Sequence, residues 1–241
     1  MFTKTNDLRK LVDMIVKRKL YSLIVTGKSG SGKSRTVIDQ LAVNTLEQNK
    51  DWILIKSYST VKSIYQSLWE NNGAILVYDD CDSVLDNRDG INIFKGALDS
   101  GDTRSVSWMS STNTFNPNGM NFRSIENMIN STGFLPNHFD FVGCVIFISN
   151  YTIDKIDEAL LSRSVTIDIS PTFEEFVDII QTNIAIIEPE VPIPMKVEVL
   201  NWFVANKDKI DQNNFNLRTY IHAVKFKVDN PNNWINMLEY V

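Results

Sequence analysis

The sequence of 241 residues is short of the residues that staple or metallate small proteins, with two cysteines and two histidines. Cys81 and Cys144 each sit in an apolar stretch, which excludes a disulfide scaffold and predicts buried, reduced thiols. His138 and His222 are far apart and have no Cys or carboxylate at ligand spacing, so no zinc site is expected. For the same reason no nucleophile–His–acid arrangement is discernible. No apolar run reaches the roughly 18 residues needed to cross a bilayer. The opening MFTKTNDLRK lacks a basic-then-apolar leader, so a cytoplasmic protein without membrane attachment is expected. Neither sign of charge dominates: 24 Lys and Arg stand against 29 Asp and Glu, a net charge of −5. Such a balance excludes indiscriminate coating of nucleic acid. The hydrophobic share, 43%, and the charged share, 22%, exclude wholesale disorder.

What charge there is lies unevenly. Met1 to Arg35 carries nine Lys or Arg against two acids, whereas Pro171 to the end carries six bases against ten acids. A basic leading segment suits a single polyanionic ligand. Within it, Leu8, Leu11, Val12, Ile15 and Val16 recur at helical spacing and predict a helix that packs on a sheet. Lys17-Arg18-Lys19 reads as its solvated end.

The chain then alternates. Strands are expected at Tyr21–Thr26, Trp52–Ser57, Ala74–Tyr78, Arg104–Met109, Phe141–Ser149 and Ser164–Ile169. Helices are expected between them at Arg35–Leu46, Val61–Glu70, Ile91–Leu98 and Asp154–Leu161. Ser110 to Asp140, rich in Ser, Thr and Asn, reads as a long loop with one helix near Arg123–Ile129. Beyond Pro171 only helical segments recur, at Phe173–Ile187, Met195–Asn206, Leu217–Val228 and Trp234–Tyr240. Strands alternating with helices predict a mostly parallel three-layer α/β domain, followed by a small all-α unit.

One motif carries the chemistry. Gly27-Lys-Ser-Gly-Ser-Gly-Lys-Ser34 satisfies G-x-x-x-x-G-K-[ST] in full, after a predicted strand and before a predicted helix. Phosphate oxygens need several backbone N–H donors converging on one point, and glycines let the loop curl without Cβ clashes. The helix start adds free amides and the positive end of its dipole. The expected phosphate cradle comprises Gly27, Ser29, Gly30, Ser31, Gly32, Lys33, Ser34 and Arg35. Lys33 would reach the β- and γ-phosphates, and the Ser34 hydroxyl would ligate Mg²⁺. The metal also needs a carboxylate at the end of a neighbouring apolar strand, which Ile75-Leu-Val-Tyr-Asp79-Asp80 supplies. Asp79 would hold the metal through its water shell, and Asp80 would orient or deprotonate an attacking water. The acids from Asp79 to Asp89 fail the calcium-loop spacing at every start.

With these parts in place, the order of motifs resembles the AAA+ ATPases over almost the whole chain. The resemblance implies a P-loop core at 1–170, a helical lid at 171–241, and ATP with Mg²⁺ bound between them. It implies that Asn150, ending the strand after Asp79, is the "sensor 1" residue that contacts the γ-phosphate and water. Arg163, closing Asp157-Glu-Ala-Leu-Leu-Ser-Arg163, is similar to the arginine finger that projects into a neighbouring subunit. Arg218, in Asn216-Leu217-Arg218, occupies the "sensor 2" position of the lid. A finger acting in trans implies a homo-oligomeric ring, most often hexameric. The segments DDCDSVLD, LDSGDTRSVSW and FDFVGCVIFISN resemble small stand-alone members encoded by large tailed phages, which suggests a viral replication or assembly factor.

The chain also departs from the pattern. Asp80 stands where active members usually carry Glu; one methylene moves the carboxylate by about 1.5 Å, and misplacement of that order costs ~10²-fold in rate. After the second strand Ser57-Tyr58-Ser59-Thr60 replaces the aromatic-hydrophobic-Gly pore loop, which disfavours protein threading. Phe115, Phe122, Phe134 and Phe139 in the long insert are candidates for stacking on single-stranded bases, or for contact with a protein client. Three readings therefore stand open. They are a ring ATPase that remodels or loads a protein or nucleic-acid partner, an ATP-gated assembly factor without hydrolysis, and a small-molecule kinase. The helical C-terminal unit disfavours the last.

Overall fold

The computed structural model describes residues 3–56, 60–110, 114–211 and 215–240. The Ser57-Tyr58-Ser59 stretch weighed as a pore-loop position lies outside them, as do residues 111–113 of the long insert. The chain opens with α1 (Thr3–Val16), β1 (Ser22–Thr26), α2 (Lys33–Val43), β2 (Trp52–Lys56), α3 (Val61–Glu70) and β3 (Ile75–Asp79). It continues through α4 (Asp82–Asp86), α5 (Arg88–Ala97), β4 (Ser105–Ser107), β5 (Thr114–Phe115), α6 (Phe122–Thr132), β6 (Leu135–Pro136), β7 (His138–Asp140) and β8 (Cys144–Ile148). A 3₁₀ turn at Ile153–Lys155 leads to α7 (Glu158–Leu161) and β9 (Val165–Asp168). The end is helical: α8 (Phe173–Asn183), α9 (Ile193–Ala205) and α10 (Leu217–Asp229), with 3₁₀ turns at Lys207–Lys209 and Asn236–Tyr240.

Five strands form one parallel sheet in the order β2-β3-β8-β1-β9. A parallel sheet is covered on both faces, so its three inner strands β1, β3 and β8 are buried along their whole length, and their residues alternate between two cores. Leu23, Val25, Ile75, Val77, Cys144, Ile146 and Ile148 point to α1 and α2, where Leu8, Val12, Ile15, Val37 and Leu41 are buried. Ile24, Leu76, Tyr78, Val145 and Phe147 point the other way, to Ile64, Tyr65, Leu68 and Phe94 of α3 and α5. The two faces make three layers. A separate third core belongs to the helical end, where Phe173, Phe176, Val199, Leu200, Phe203, Phe215 and Tyr220 pack together. Within it Lys196 is buried, and its ammonium donates to Ile187 O at 2.9 Å and Glu188 O at 3.4 Å.

Four expectations are corrected. Arg104–Met109 does not join the main sheet: β4 pairs antiparallel with β7 outside it. The helix expected at Asp154–Leu161 shrinks to a 3₁₀ turn and the four residues of α7, and Trp234–Tyr240 is a hydrogen-bonded turn running into a 3₁₀ turn. Within Ser110–Asp140 the helix expected near Arg123–Ile129 is present as α6, but the remainder, expected as loop, also carries the short β5–β6 pair and β7, which pairs with β4. Aromatic contacts fasten it to α3, with Tyr65 meeting Trp108 and Phe139 at ring centroid distances of 5.5 and 5.3 Å. Tyr65 Oη also donates to Pro136 O at 2.7 Å. Propensity along the chain does not report such long-range packing.

The basic run after α1 is also more engaged than a solvated helix end. Arg18 has left-handed backbone (φ 55°), and its guanidinium donates to the Gly73 carbonyl and to Cys144 Sγ. Cys81 and Cys144 are free, buried thiols, as expected, and burial raises the pKa of both.

Candidate functional site

Strand register brings the site together. Val25 of β1 and Asp79 of β3 both pair with Ile148 of β8, so the carboxyl ends of three strands stop at one level. In open α/β sheets ligands bind beyond those ends. The loop between β1 and α2 crosses there.

The loop's shape follows from its glycines. Gly27 has φ +138°, and a Cβ on it would lie 2.0 Å from Ile169 O, so only glycine lets the chain leave β1 beside β9. Gly30 and Gly32 also take positive φ, and Gly32 is the N-cap residue of α2. Beyond the loop, Lys33 is buried at 5% exposure, its ammonium donating to Gly27 O at 2.7 Å, Lys28 O at 2.9 Å and Asn150 Oδ1 at 3.1 Å. Burial pushes its pKa below the ordinary lysine value, against the attraction of Asp80, Asp79, Asp168 and Asp82. The Ser31 hydroxyl is buried in the loop without a hydrogen-bond partner, an orphan donor where an anion's oxygens would lie.

Ser34 Oγ donates to Asp79 Oδ1 at 2.6 Å, and Asp79 is 1% exposed. That pairing leaves the hydroxyl oxygen's lone pairs free beside a carboxylate, a hard-oxygen donor set suited to a small divalent cation. Among the described residues no group of three or more His, Cys, Asp and Glu could hold a metal by itself. The pair Ser34 and Asp79 fits a metal that arrives with phosphate.

Asp80 is exposed and has left-handed backbone (φ 55°). Its amide donates to Ile148 O at 3.1 Å, and its carboxylate accepts from Asn150 Nδ2 at 2.9 Å. Asn150 thus bridges Lys33 to Asp80. From the helical end, α10 closes the cleft: Asn216 caps it through the amides of Arg218 and Thr219, and a Cβ on Gly30 would lie 2.5 Å from Asn216 Oδ1. Arg218 Nη1 lies 3.4 Å from Ser29 Oγ.

Of the expected residues, Ser29 to Arg35, Asp80, Asn150 and Arg218 line one cleft, with Leu217 and Ile221 as an apolar wall. Gly27 shapes the loop from beneath. Arg35 faces the cleft edge but pairs with Asp39 at 2.7 Å on an exposed surface. Arg163 does not line the cleft: its Nη1 turns back to Ala159 O at 3.0 Å, and its Nε is buried without a hydrogen-bond partner. The stacking candidates in the insert divide. Phe139 is core and Phe115 and Phe134 are half-buried, whereas Phe122 is 75% exposed.

Sequence reasoning missed Lys56, whose ammonium lies 3.1 Å from Asp79 Oδ2, and Asp82, which accepts from Ser149 Oγ at 2.5 Å. The signal for Lys56 was its place as the polar end of an apolar strand next to the Asp79 strand.

No protein-family model matches the chain. An uncharacterised 36.7 kDa protein from the nrdC–mobD intergenic region of Enterobacteria phage T4 is 26% identical over 249 aligned positions, covering 95% of this chain and 70% of that protein. Among solved structures, a mutant form of Thermotoga maritima RuvB superposes with a TM-score of 0.55 at 9% identity, over 98% of this chain and 70% of RuvB. A second RuvB mutant gives a TM-score of 0.50 at 10% identity, over 93% of this chain and 63% of RuvB. RuvB is an AAA+ P-loop ATPase, and at this identity the likeness establishes the fold alone: the chain shares the RuvB arrangement of a mostly parallel sheet with flanking helices followed by a helical unit. Among the described residues no helix is long and apolar enough to cross a membrane.

Proposed function

We propose that the chain is an ATPase of the AAA+ type, with a core at 1–170 and a lid at 171–241 that bind ATP and Mg²⁺ between them. The observation that carries this reading is the convergence on one cleft of a buried lysine, a glycine cradle with an orphan hydroxyl, and a Ser34–Asp79 pair. The cradle's amides and Lys33 would grip the triphosphate, while Ser34 and Asp79 would hold the metal. Bound magnesium would supply positive charge to neutralise the phosphate oxygens. Asp80, fixed by Asn150, would accept a proton from the attacking water. Arg218 would reach the nucleotide from α10 and tie the helical unit to its state.

Arg163 fits a role in trans. It does not line this chain's own cleft, and its buried Nε is unsatisfied in the single chain. An adjoining copy, in a ring of hexameric or other size, could draw it out toward a second cleft. For a client, α6 offers an exposed helix with no buried residue and few charges. That favours a protein partner over nucleic acid. The phage relative supports a viral setting, for which we propose a replication or assembly role.

Calorimetry and phosphate release test the reading together. Magnesium-dependent ATP binding at micromolar strength and measurable phosphate release are expected. In Lys33→Met, affinity should fall by two orders of magnitude or more, on the order of the charge-assisted contacts removed. Tight binding with no release at any protein concentration would leave an ATP-gated assembly factor. No magnesium-dependent binding would end the nucleotide reading.

A further inference from the structure

The sheet's edge strand β2 ends in a lysine. Parallel register sets Lys56 directly opposite Asp79, and opposite residues of neighbouring strands project to the same face. Lys56 Nζ lies 3.1 Å from Asp79 Oδ2, and Ser34 Oγ donates to Oδ1 at 2.6 Å. The two oxygens of one buried carboxylate are therefore held from two elements, α2 on one side and β2 on the other. Asp79 is 1% exposed while Lys56 is 58% exposed, so the ammonium reaches in from solvent behind the carboxylate. Lys56 lies outside the phosphate loop and is not among the residues lining the cleft.

A carboxylate this deeply buried needs a cation beside it. Before any metal arrives, Lys56 is the cation in direct contact with it, while Lys33 attracts it from farther off. A divalent ion drawn to Ser34 and Asp79 meets an ammonium already seated on the same carboxylate, and like charges sharing one anion weaken each other's attraction to it. We propose that Lys56 is a positioning residue of the metal site, a built-in counter-ion that holds Asp79 in place and lowers its affinity for Mg²⁺. The metal then binds in company with the triphosphate, whose own negative charge outweighs the ammonium. The inference rests on the MgATP reading above and adds to it a residue that sets the order of binding.

The test uses the full chain as wild type, Lys56→Met and Lys56→Arg. Binding of a fluorescent ATP analogue is followed by anisotropy as Mg²⁺ is titrated. Lys56→Met keeps the stem and loses the charge; its half-saturating Mg²⁺ should fall by roughly three- to tenfold at low salt, and by less as salt screens the half-exposed lysine. Lys56→Arg should stay within about twofold of wild type, because the charge is kept. The second readout needs no nucleotide. Metal-free Lys56→Met should melt lower than wild type, and Mg²⁺ alone should raise its melting temperature where it leaves wild type unmoved.

An unchanged or raised Mg²⁺ requirement in Lys56→Met, or no Mg²⁺-induced stabilisation specific to it, overturns the proposal. Wild type without any magnesium-dependent nucleotide binding would overturn the ATPase reading instead. The nucleotide-free melting comparison would still decide the role of Lys56.

Discussion

Lys33 and Asp80 carry opposite kinds of tension. Lys33 is an ammonium taken out of water with carbonyls, an amide oxygen and no directly bonded carboxylate around it. Burial therefore lowers its pKa relative to the unfolded chain. Between the folded and unfolded values the unfolded chain keeps the proton that the folded chain has shed, so stability rises with pH through that window. Below it, the full penalty of the buried charge persists. Lys33→Met, of similar length and uncharged, should raise ligand-free stability by about 1 kcal/mol, or roughly 2–4 °C in Tm. It should also flatten the rise of stability with alkaline pH relative to wild type, which differential scanning calorimetry at several pH values would reveal. Asp80 holds a left-handed backbone that short polar residues tolerate better than long ones. That gives a physical reason for Asp at a position where the AAA+ motif pattern that the sequence resembles usually has Glu. Asp80→Asn should retain MgATP binding and lose phosphate release by about 10²–10⁴-fold; release unchanged from wild type would remove Asp80 from the chemistry.

At the scale of elements, the phosphate loop depends on how closely two strands approach. Gly27 sits where β1 ends against Ile169, whose amide donates to Thr26 O at 2.8 Å. A methyl group there meets backbone at 2.0 Å and cannot be absorbed by a flexible side chain. Gly27→Ala should destabilise the fold by about 3 kcal/mol or more. Gly119→Ala, also at positive φ but with nothing within 4 Å of the added methyl, should cost only about 1 kcal/mol. Urea denaturation of both variants separates steric conflict from conformational preference, and equal losses would contradict the packing account. The insert makes a similar point about distance in sequence. Its Ser and Asn content reads as loop apart from one helix, and that helix is α6, which starts on an Asn121 cap to Ser124 N and ends on a left-handed Gly133. Those local signals were present in the sequence. The cross-contacts of Phe139 and Trp108 with α3, which make the insert a built part of the core, had no local signature.

For the whole molecule, the telling residue is Arg163. Its guanidinium folds back on α7 and stays out of its own chain's cleft. If it serves a neighbour, Arg163→Ala should bind MgATP as wild type does but lose phosphate release by about 10³-fold or more. Light scattering after size exclusion should show a larger species with a slowly hydrolysed ATP analogue than without. Full activity in a form that stays monomeric at every concentration would defeat the trans arrangement.

Chemistry that is local in the chain was determined by the sequence itself. The eight residues from Gly27 to Ser34 specify a curled loop because glycine φ, a following helix and a lysine at fixed spacing act within one turn of chain. The strand ending in Asp79-Asp80 was legible because a fully buried parallel strand must be apolar until it emerges. Only the tertiary structure decided what depends on register and packing across the sheet. Stacking β3 between β2 and β8 put Lys56 on one oxygen of Asp79, brought Asn150 between Lys33 and Asp80, and laid α10 across the phosphate loop. Those neighbours are set by strand order and side-chain packing, which lie across the chain rather than along it.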